Sequence, residues 1–323
     1  MKNEKNEIKI KTKGVTAVIC AEREKIDGLG EDCYSYSFDS TDVGYIAVFD
    51  GCGGMGARKY PKANNKTGAR IASRAAACIT DEFYGEKLFR FDGSDCLNLQ
   101  DRMKEAFQRI KSAVDSDSAA MMGGDLFKSL PTTAAIAVIK NNDNSRMVCE
   151  YLWAGDSRGY FLDADGLCQV TKDDLKTDED AFSNLRSDGR MSNVIHADGD
   201  FRINSECLIL DKPIMIITST DGAFDYLSSP MEFEHLLLST LFEADSAEKW
   251  EKALVDAICP VTGDDFCICA ALFGFSSFGD CKKYYKERFE YLTSKYMSRI
   301  TEDTTEKELL SLWGSYKLSY YRR

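Results

Sequence analysis

Apolar positions recur along this chain of 323 residues with two different periods, and the two alternate in blocks. Residues 14–22 form an apolar run, and residues 33–38 (Cys-Tyr-Ser-Tyr-Ser-Phe) alternate aromatic and serine with period two. Both predict strands, as does the run over 44–50. A glycine-rich turn, Gly51-Cys52-Gly53-Gly54-Met55-Gly56, follows. The period then lengthens. Ala72, Ala75, Ala76, Ile79 and Phe83 share one face of a predicted helix, and Met103, Ala106, Phe107, Ile110 and Val114 share one face of a second, near 98–115. Strands are predicted near 132–140, 147–155 and 158–163, with a hairpin turn at Asp163-Ala164-Asp165-Gly166 leading into Leu167–Thr171.

Residues 172–206 are polar and irregular, the pattern of a surface loop or flap. One or two strands fit 208–219, helices fit 230–243 and 246–258, and a last strand fits 266–274. The order is strands, two helices, strands, two helices, strand. It predicts an α+β fold in which helix pairs cover the outer faces of antiparallel sheets. Helical spacing returns after residue 280, with Tyr285, Phe289, Leu292 and Tyr296 on one face and Leu309, Leu312, Trp313 and Tyr316 on another. Thr305 and Glu308 fit a capping box. Two readings of this tail stay open: a helical pair packed on the core, or an aromatic docking surface for a partner.

Composition narrows the function. Apolar residues make up 44% of the chain, enough for a sizeable core. The formal net charge is −12, with no basic cluster to offset it, which argues against nucleic acid and anionic membranes as partners. No apolar run reaches membrane-spanning length. Met1–Lys13 is charged and lacks the apolar stretch of a signal peptide. Twelve cysteines without a C-x-x-C pair, and only two histidines (His196 and His235), make a structural zinc site a poor fit. Several cysteines fall inside strand-like runs, as in Cys267-Ile268-Cys269, and read as small core residues; a reduced, cytoplasmic location is expected. The two histidines are expected at the surface or in loops.

Candidate chemistry sits where predicted strands end. Asp50, Asp156, Asp221 and Asp264 each lie at or near the end of an apolar or β-prone run, and each stands beside a glycine. A carboxylate at the mouth of a buried strand is costly to desolvate unless its charge is compensated. Several converging there would repel one another, and divalent cations are the usual remedy. At any single position, turn or cap chemistry explains an aspartate equally well. Taken with Glu31, the set points to a hard-metal site built from strand ends.

These motifs resemble the metal-dependent protein phosphatase family of the protein phosphatase 2C type, over roughly residues 14–275. Gly30-Glu31-Asp32 resembles its N-E-D segment, and Phe49-Asp50-Gly51-Cys52-Gly53-Gly54 its D-G-x-G-G turn. Pro131-Thr132-Thr133-Ala134-Ala135 is similar to the G-T-T-A strand, Ala154-Gly155-Asp156-Ser157-Arg158 to G-D-S-R, and Gln169-Val170-Thr171-Lys172-Asp173-Asp174 to Q-L-T-x-D-H. Ser219-Thr220-Asp221-Gly222-Ala223-Phe224-Asp225 is similar to S-D-G-L-x-D, and Gly263-Asp264-Asp265-Phe266 to the closing D-N pair. The seven segments occur in the family's order.

The resemblance implies a four-layer α-β-β-α sandwich, with a catalytic domain over 1–275 and a C-terminal helical extension over 276–323. It implies two or three divalent cations, Mn2+ or Mg2+. Asp50 would bridge two of them, Asp221 and Asp264 would hold the first, and Glu31 with the Gly51 carbonyl the second. Asp156 would help form a third site near Asp221. Asp50, Asp221 and Asp264 would be the catalytic set. The implied activity is hydrolysis of phosphoserine or phosphothreonine by direct attack of a metal-bridging water, on a phosphoprotein and by a monomeric chain. A cognate Ser/Thr kinase or its targets are the implied partners.

Two positions depart from the family pattern. Cys52 stands where many members have histidine and bacterial members often have methionine. Asp27 stands where an arginine usually grips phosphate, so Arg23 and Lys25 become the candidate substitutes for substrate binding. Asp32, Arg158, Asp225 and Asp265 are expected to support the ligands. These departures leave an alternative, a catalytically weak phosphatase-like regulatory or binding module.

Overall fold

The computed structural model describes residues 14–38, 43–85, 94–115, 127–141, 145–177, 179–186, 189–301 and 303–322. The reading of Met1–Lys13 falls outside these residues. The chain begins with strands β1 (Val15–Arg23), β2 (Cys33–Phe38) and β3 (Val43–Phe49). A short helix α1 (Gly53–Gly56) and a two-stranded ribbon, β4 (Lys59–Tyr60) and β5 (Lys66–Thr67), lead to the long helices α2 (Gly68–Gly85) and α3 (Ser94–Val114). Next come β6 (Ala134–Asn141), β7 (Arg146–Ala154), β8 (Arg158–Asp163) and β9 (Gly166–Gln169), then a short helix α4 (Ala181–Asn184). Strands β10 (Asn204–Asp211) and β11 (Ile214–Ser219), helices α5 (Pro230–Glu243) and α6 (Ala247–Ile258), strand β12 (Phe266–Phe273) and helices α7 (Phe278–Lys295) and α8 (Glu306–Tyr320) complete it.

Two five-stranded antiparallel sheets face each other, in strand orders β1-β12-β11-β8-β9 and β10-β7-β6-β3-β2. Between them lies an apolar layer that includes Ile46, Val48, Tyr151, Phe161, Val170, Ile216, Cys267 and Cys269. Helices α2 and α3 press Ala72, Ala76, Phe83, Leu99, Met103 and Phe107 onto the outer face of the second sheet. The outer face of the first sheet is covered from α5, α6, α7 and α8 through Leu237, Trp250, Tyr285 and Trp313. The fold is thus the α-β-β-α sandwich that the resemblance implies, with helices on the outer faces of antiparallel sheets as the alternation of periods predicts. Eight of the twelve cysteines fill buried positions, Cys78 and Cys207 are exposed, and all twelve are free thiols. Among the described residues no helix is long and apolar enough to cross a membrane.

The tail is settled by burial. Tyr285, Leu292, Tyr296, Leu312, Trp313, Tyr316 and Tyr320 all lie within the core beneath the first sheet, so its aromatic stripe is packing surface rather than docking surface. Glu234 sits in that core. It is held by a bidentate pair from Arg288 Nε (2.6 Å) and Nη2 (2.8 Å) and by the Tyr316 hydroxyl. The Thr305–Glu308 capping box starts α8.

The flap segment departs from its expectation at two places. It contains the short helix α4, and β10 starts at Asn204, inside the stretch read as irregular. His196, expected at the surface or in a loop, lies in a loop but is buried; its ring packs on Phe201 and Nδ1 accepts from the Asp198 amide (3.1 Å). Burial and the nearby Lys128 hold its pKa below the ordinary imidazole value. His235 is half-buried and stacks on Phe289.

Candidate active site

Antiparallel register fixes where the acidic residues meet. In the first sheet Arg23 at the end of β1 faces Phe266 at the start of β12, and Ser219 at the end of β11 faces both Ile268 and Arg158. In the second sheet Phe49 at the end of β3 faces Cys33, Val48 faces Ala135, and Ala154 at the end of β7 faces Ala134. The residues just beyond these ends are Asp50, Asp156, Asp221 and the Asp264-Asp265 pair. One end of the sandwich therefore collects the acidic set from both sheets.

Asp50, Asp156 and Asp221 each bring a carboxylate oxygen within 4.8 Å of the other two. A cleft of about 580 Å3 opens over Asp50 and Asp221, lined also by Glu31, Asp32, Gly51, Cys52, Asp264 and Asp265 among others. The backbone here is tightly held. The Asp50 carbonyl accepts from the Thr133 amide (2.8 Å) and the Thr132 hydroxyl (2.7 Å), and Thr133 Oγ1 bonds Ser157 Oγ (2.6 Å). Glu31 is oriented by the Thr67 hydroxyl, and Ser73 donates to the Glu31 carbonyl. Asp265 ties the 25–31 loop to the cleft by accepting from the Lys25 amide (Oδ1, 2.6 Å) and the Glu31 amide (Oδ2, 2.6 Å).

Two glycines have steric reasons to be glycines. A Cβ on Gly51 would lie 2.6 Å from the Ala69 carbonyl oxygen, and one on Gly222 would lie 1.9 Å from the Asp265 carbonyl oxygen. Close approach at Gly222 is what brings Asp221 beside the 264–265 pair. Gly222→Ala should cost about 1–3 kcal/mol of stability, as overpacking against rigid backbone does. Urea unfolding with an unchanged slope would measure it.

The electrostatics are those of crowded acids without a compensating charge. Burial, then repulsion from Asp221, Asp32 and Asp156, pushes the Asp50 carboxyl well above the carboxylate range. Burial and repulsion from Asp221 and Asp173 do the same to Asp156. Asp221 rises to about 6, through burial and then the Asp264 charge. Asp32 rises to about 8, through burial above all, although it is hydrogen-bonded to Thr220 and Asp50. Two carboxyls bonded to each other share a proton unless a cation replaces it. Asp156 Oδ1 and Asp32 Oδ2 are buried without a hydrogen-bond partner. Oxygen-only donors, mutual repulsion and unpartnered oxygens together fit a hard divalent cation.

These shifts have a consequence for stability. With carboxyls raised from 3.8 to about 6 and about 8, the folded metal-free protein binds more protons than the unfolded chain across that interval. Its stability therefore falls as pH rises from about 4 to about 8. Calorimetric scans in chelator should show the melting temperature dropping from pH 5 to pH 8.

Other expected site residues fall in different places. Arg158, at the start of β8, makes a bidentate pair with Asp173 (2.9 and 2.7 Å) and lies over the Phe224 ring at 4.2 Å. Asp225 is exposed on the turn after Asp221. Arg23 Nη2 is 3.9 Å from Asp27 Oδ1, and Lys25 donates its ammonium to the Gly263 carbonyl; neither lines the cleft. Cys52 is buried on the cleft floor, and burial and then the Asp50 charge push its thiol well above the usual cysteine range, so it stays protonated. Sequence reasoning missed Phe127 and Met191, which also line the cleft, and Asp173 as the partner of Arg158. Asp173 was visible in the 169–174 motif, whereas nothing local marks Phe127 or Met191.

A protein phosphatase 2C family model matches residues 28–192, half of the chain. No curated protein sequence matches it. Among solved structures, the serine/threonine phosphatase PstP/Ppp of Mycobacterium tuberculosis shares the fold at a TM-score of 0.55 and 14% identity, with 80% of this chain and 99% of that chain covered. The serine/threonine phosphatase Stp1 of Staphylococcus aureus is similar at a TM-score of 0.57 and 16% identity, covering 80% of this chain and 95% of that one. A structure of the PstP catalytic domain carries two manganese ions; it matches at a TM-score of 0.55 and 14% identity, covering 80% and 98%. By the family match, with these folds in agreement, this chain belongs to the protein phosphatase 2C family.

Proposed function

We propose that this chain is a metal-dependent phosphoprotein phosphatase that hydrolyses phosphoserine or phosphothreonine by direct attack of a water held between two divalent cations. The observation that carries the reading is the gathering of Asp50, Asp156 and Asp221 within 4.8 Å of one another, with Asp50 and Asp221 opening onto a cleft also lined by Glu31 and Asp264. Asp50 would be the shared ligand of two cations, with Asp221 and Asp264 holding one, Glu31 and the Gly51 carbonyl the other, and Asp156 helping to hold a third. Manganese or magnesium suits this all-oxygen set, and a structurally similar catalytic domain carries two manganese ions. Cations bound there would neutralise the phosphoryl charge and acidify the attacking water.

The chain's own residues supply the rest. Thr132 and Thr133 hold the Asp50 backbone, Thr67 holds Glu31, and Asp265 pins the 25–31 loop across the cleft. Arg158 and Asp173 fix the strand start that follows Asp156. Cys52 is a neutral thiol and takes no proton-transfer role in this scheme. Arg23 and Lys25 are the candidates for drawing phosphate in from outside the cleft, Lys25 on release from the Gly263 carbonyl. The gathered acids favour catalysis over the weakly active regulatory alternative. The family resemblance adds a monomeric chain acting on a Ser/Thr kinase or that kinase's targets, and the composition fits a cytoplasmic location.

The test is phosphate release from a phosphothreonine peptide with added Mn2+ or Mg2+. Activity abolished by chelator, and incorporation of one oxygen from labelled water into phosphate without a trapped phosphoenzyme, is the expected result. A chain inert with both cations would overturn the proposal.

A further inference from the structure

Helix α8 is joined to the flap by contacts that core packing alone does not require. Asp180 caps α4 by accepting from the Ser183 amide through Oδ1 (3.0 Å). Its other oxygen accepts from the Trp313 indole (3.0 Å) and the Lys317 ammonium (2.7 Å), both on α8. The next amide, Ala181, donates to the Tyr321 hydroxyl (2.8 Å), and Phe182 stacks on Trp313 with centroids 6.1 Å apart and planes at 15°. Arg186 lies 3.6 Å from Glu306 at the start of α8.

Two routes lead from α4 to the cleft. Asn184 donates to Asp173 Oδ2 (2.7 Å), the oxygen that also accepts from Arg158 Nη2 (2.7 Å), two residues beyond Asp156. The chain after α4 returns to Met191, a cleft residue, which bridges to Leu175. The return is fixed by Ser192 donating to the Asp174 carbonyl (2.7 Å), while Asp174 donates to the Gly155 carbonyl (2.9 Å). A displacement of α4 would therefore be felt at the wall of the cleft, while the Asp156 turn keeps its own anchors in the bidentate Arg158–Asp173 pair and the Asp174 amide on the Gly155 carbonyl.

We propose that α8 is a clasp on the flap, with Asp180 as its positioning residue, and that it sets how a phosphorylated polypeptide, rather than a small phosphomonoester, is seated over the acidic cluster. This rests on the phosphatase reading. A small ester needs only the cation-bearing floor, whereas a polypeptide must also run along the wall that carries Met191. Loosening the clasp should therefore separate the two substrates.

The test uses the full chain with Mn2+, and compares Asp180→Asn and the double variant Trp313→Phe, Lys317→Met with the parent. The first keeps a side chain able to cap α4; the second keeps the aromatic stack on Phe182. Two readings are taken: hydrogen exchange of amides 181–186 and 189–192, and kinetics on a phosphothreonine peptide and on p-nitrophenyl phosphate. Faster exchange, a peptide KM raised about tenfold, and a kcat on the small ester within about twofold are the expected results. Unchanged exchange would overturn the clasp. Faster exchange with both substrates affected equally, or neither, would overturn the positioning role and leave a purely structural contact. A parent chain inert on both substrates would overturn the phosphatase reading instead, and the exchange reading would then judge the clasp alone.

Discussion

Asp50→Asn is expected to lower metal-dependent phosphate release by at least about 10³-fold and at the same time to raise the melting temperature of the metal-free protein. The two effects share one cause. Asp50 faces the Asp221, Asp32 and Asp156 carboxyls, and its charged form is disfavoured by burial before any of them is counted. An amide of the same shape removes that penalty, so the metal-free fold gains. The same amide cannot bridge two cations as a carboxylate does, so the electrostatic stabilisation of the reacting phosphoryl group is lost, a term worth several kcal/mol in such sites. Asp221→Asn should behave alike in activity. A site whose aspartates served only as turn caps would show the opposite pattern, with activity kept and stability unchanged or lowered. Rates in Mn2+ and calorimetric scans in chelator, on the same preparations, separate the two cases.

The second large effect is at Arg158. Its side chain and that of Asp173 are each only 3% exposed, and they are joined by two hydrogen bonds. Arg158→Met leaves Asp173 buried with hydrogen bonds from Gln169 and Asn184 but no cation. Breaking such a pair from one side costs about 3–5 kcal/mol. For a chain of this size that lowers the melting temperature by roughly 4–7 °C. Asp173→Asn alone should be similarly damaging, because it strands the guanidinium, while the double variant should recover part of the loss. Thermal unfolding of the three variants measures the coupling. A single variant that melts with the parent would show that the pair contributes nothing to the β8 start.

The strands and helices were legible where one face of an element is apolar, because burial on one side imprints its period on the sequence. Each strand that carries a site residue could be read in this way, and so could the Thr305–Glu308 cap. The acidic set was legible because strand ends beside glycines are unusual places to put several carboxylates. What sequence could not show depends on contacts between distant segments. His196 is polar by type, but packing against Phe201 and a local amide donor let it be buried. The aromatic stripe of the tail has the same spacing whether it meets solvent, a partner or the core. Only the fold reveals Trp313 and Tyr316 beneath the first sheet. Likewise Asp180 reads as an ordinary loop acid, and its value lies in two donors from a helix more than a hundred residues away. The raised carboxyl of Asp32 is equally silent in sequence, since it follows from burial against Thr220 and Asp50.

The central claim is that carboxylates from both sheets converge to hold hard cations over one floor. Its most direct measurement is anomalous diffraction at the manganese edge from crystals grown with Mn2+. Two peaks are expected in the cleft, both in contact with Asp50, one also with Asp221 and Asp264 and the other with Glu31. A map without manganese between Asp50 and Asp221, or with ions bound only at surface acids elsewhere, would contradict it.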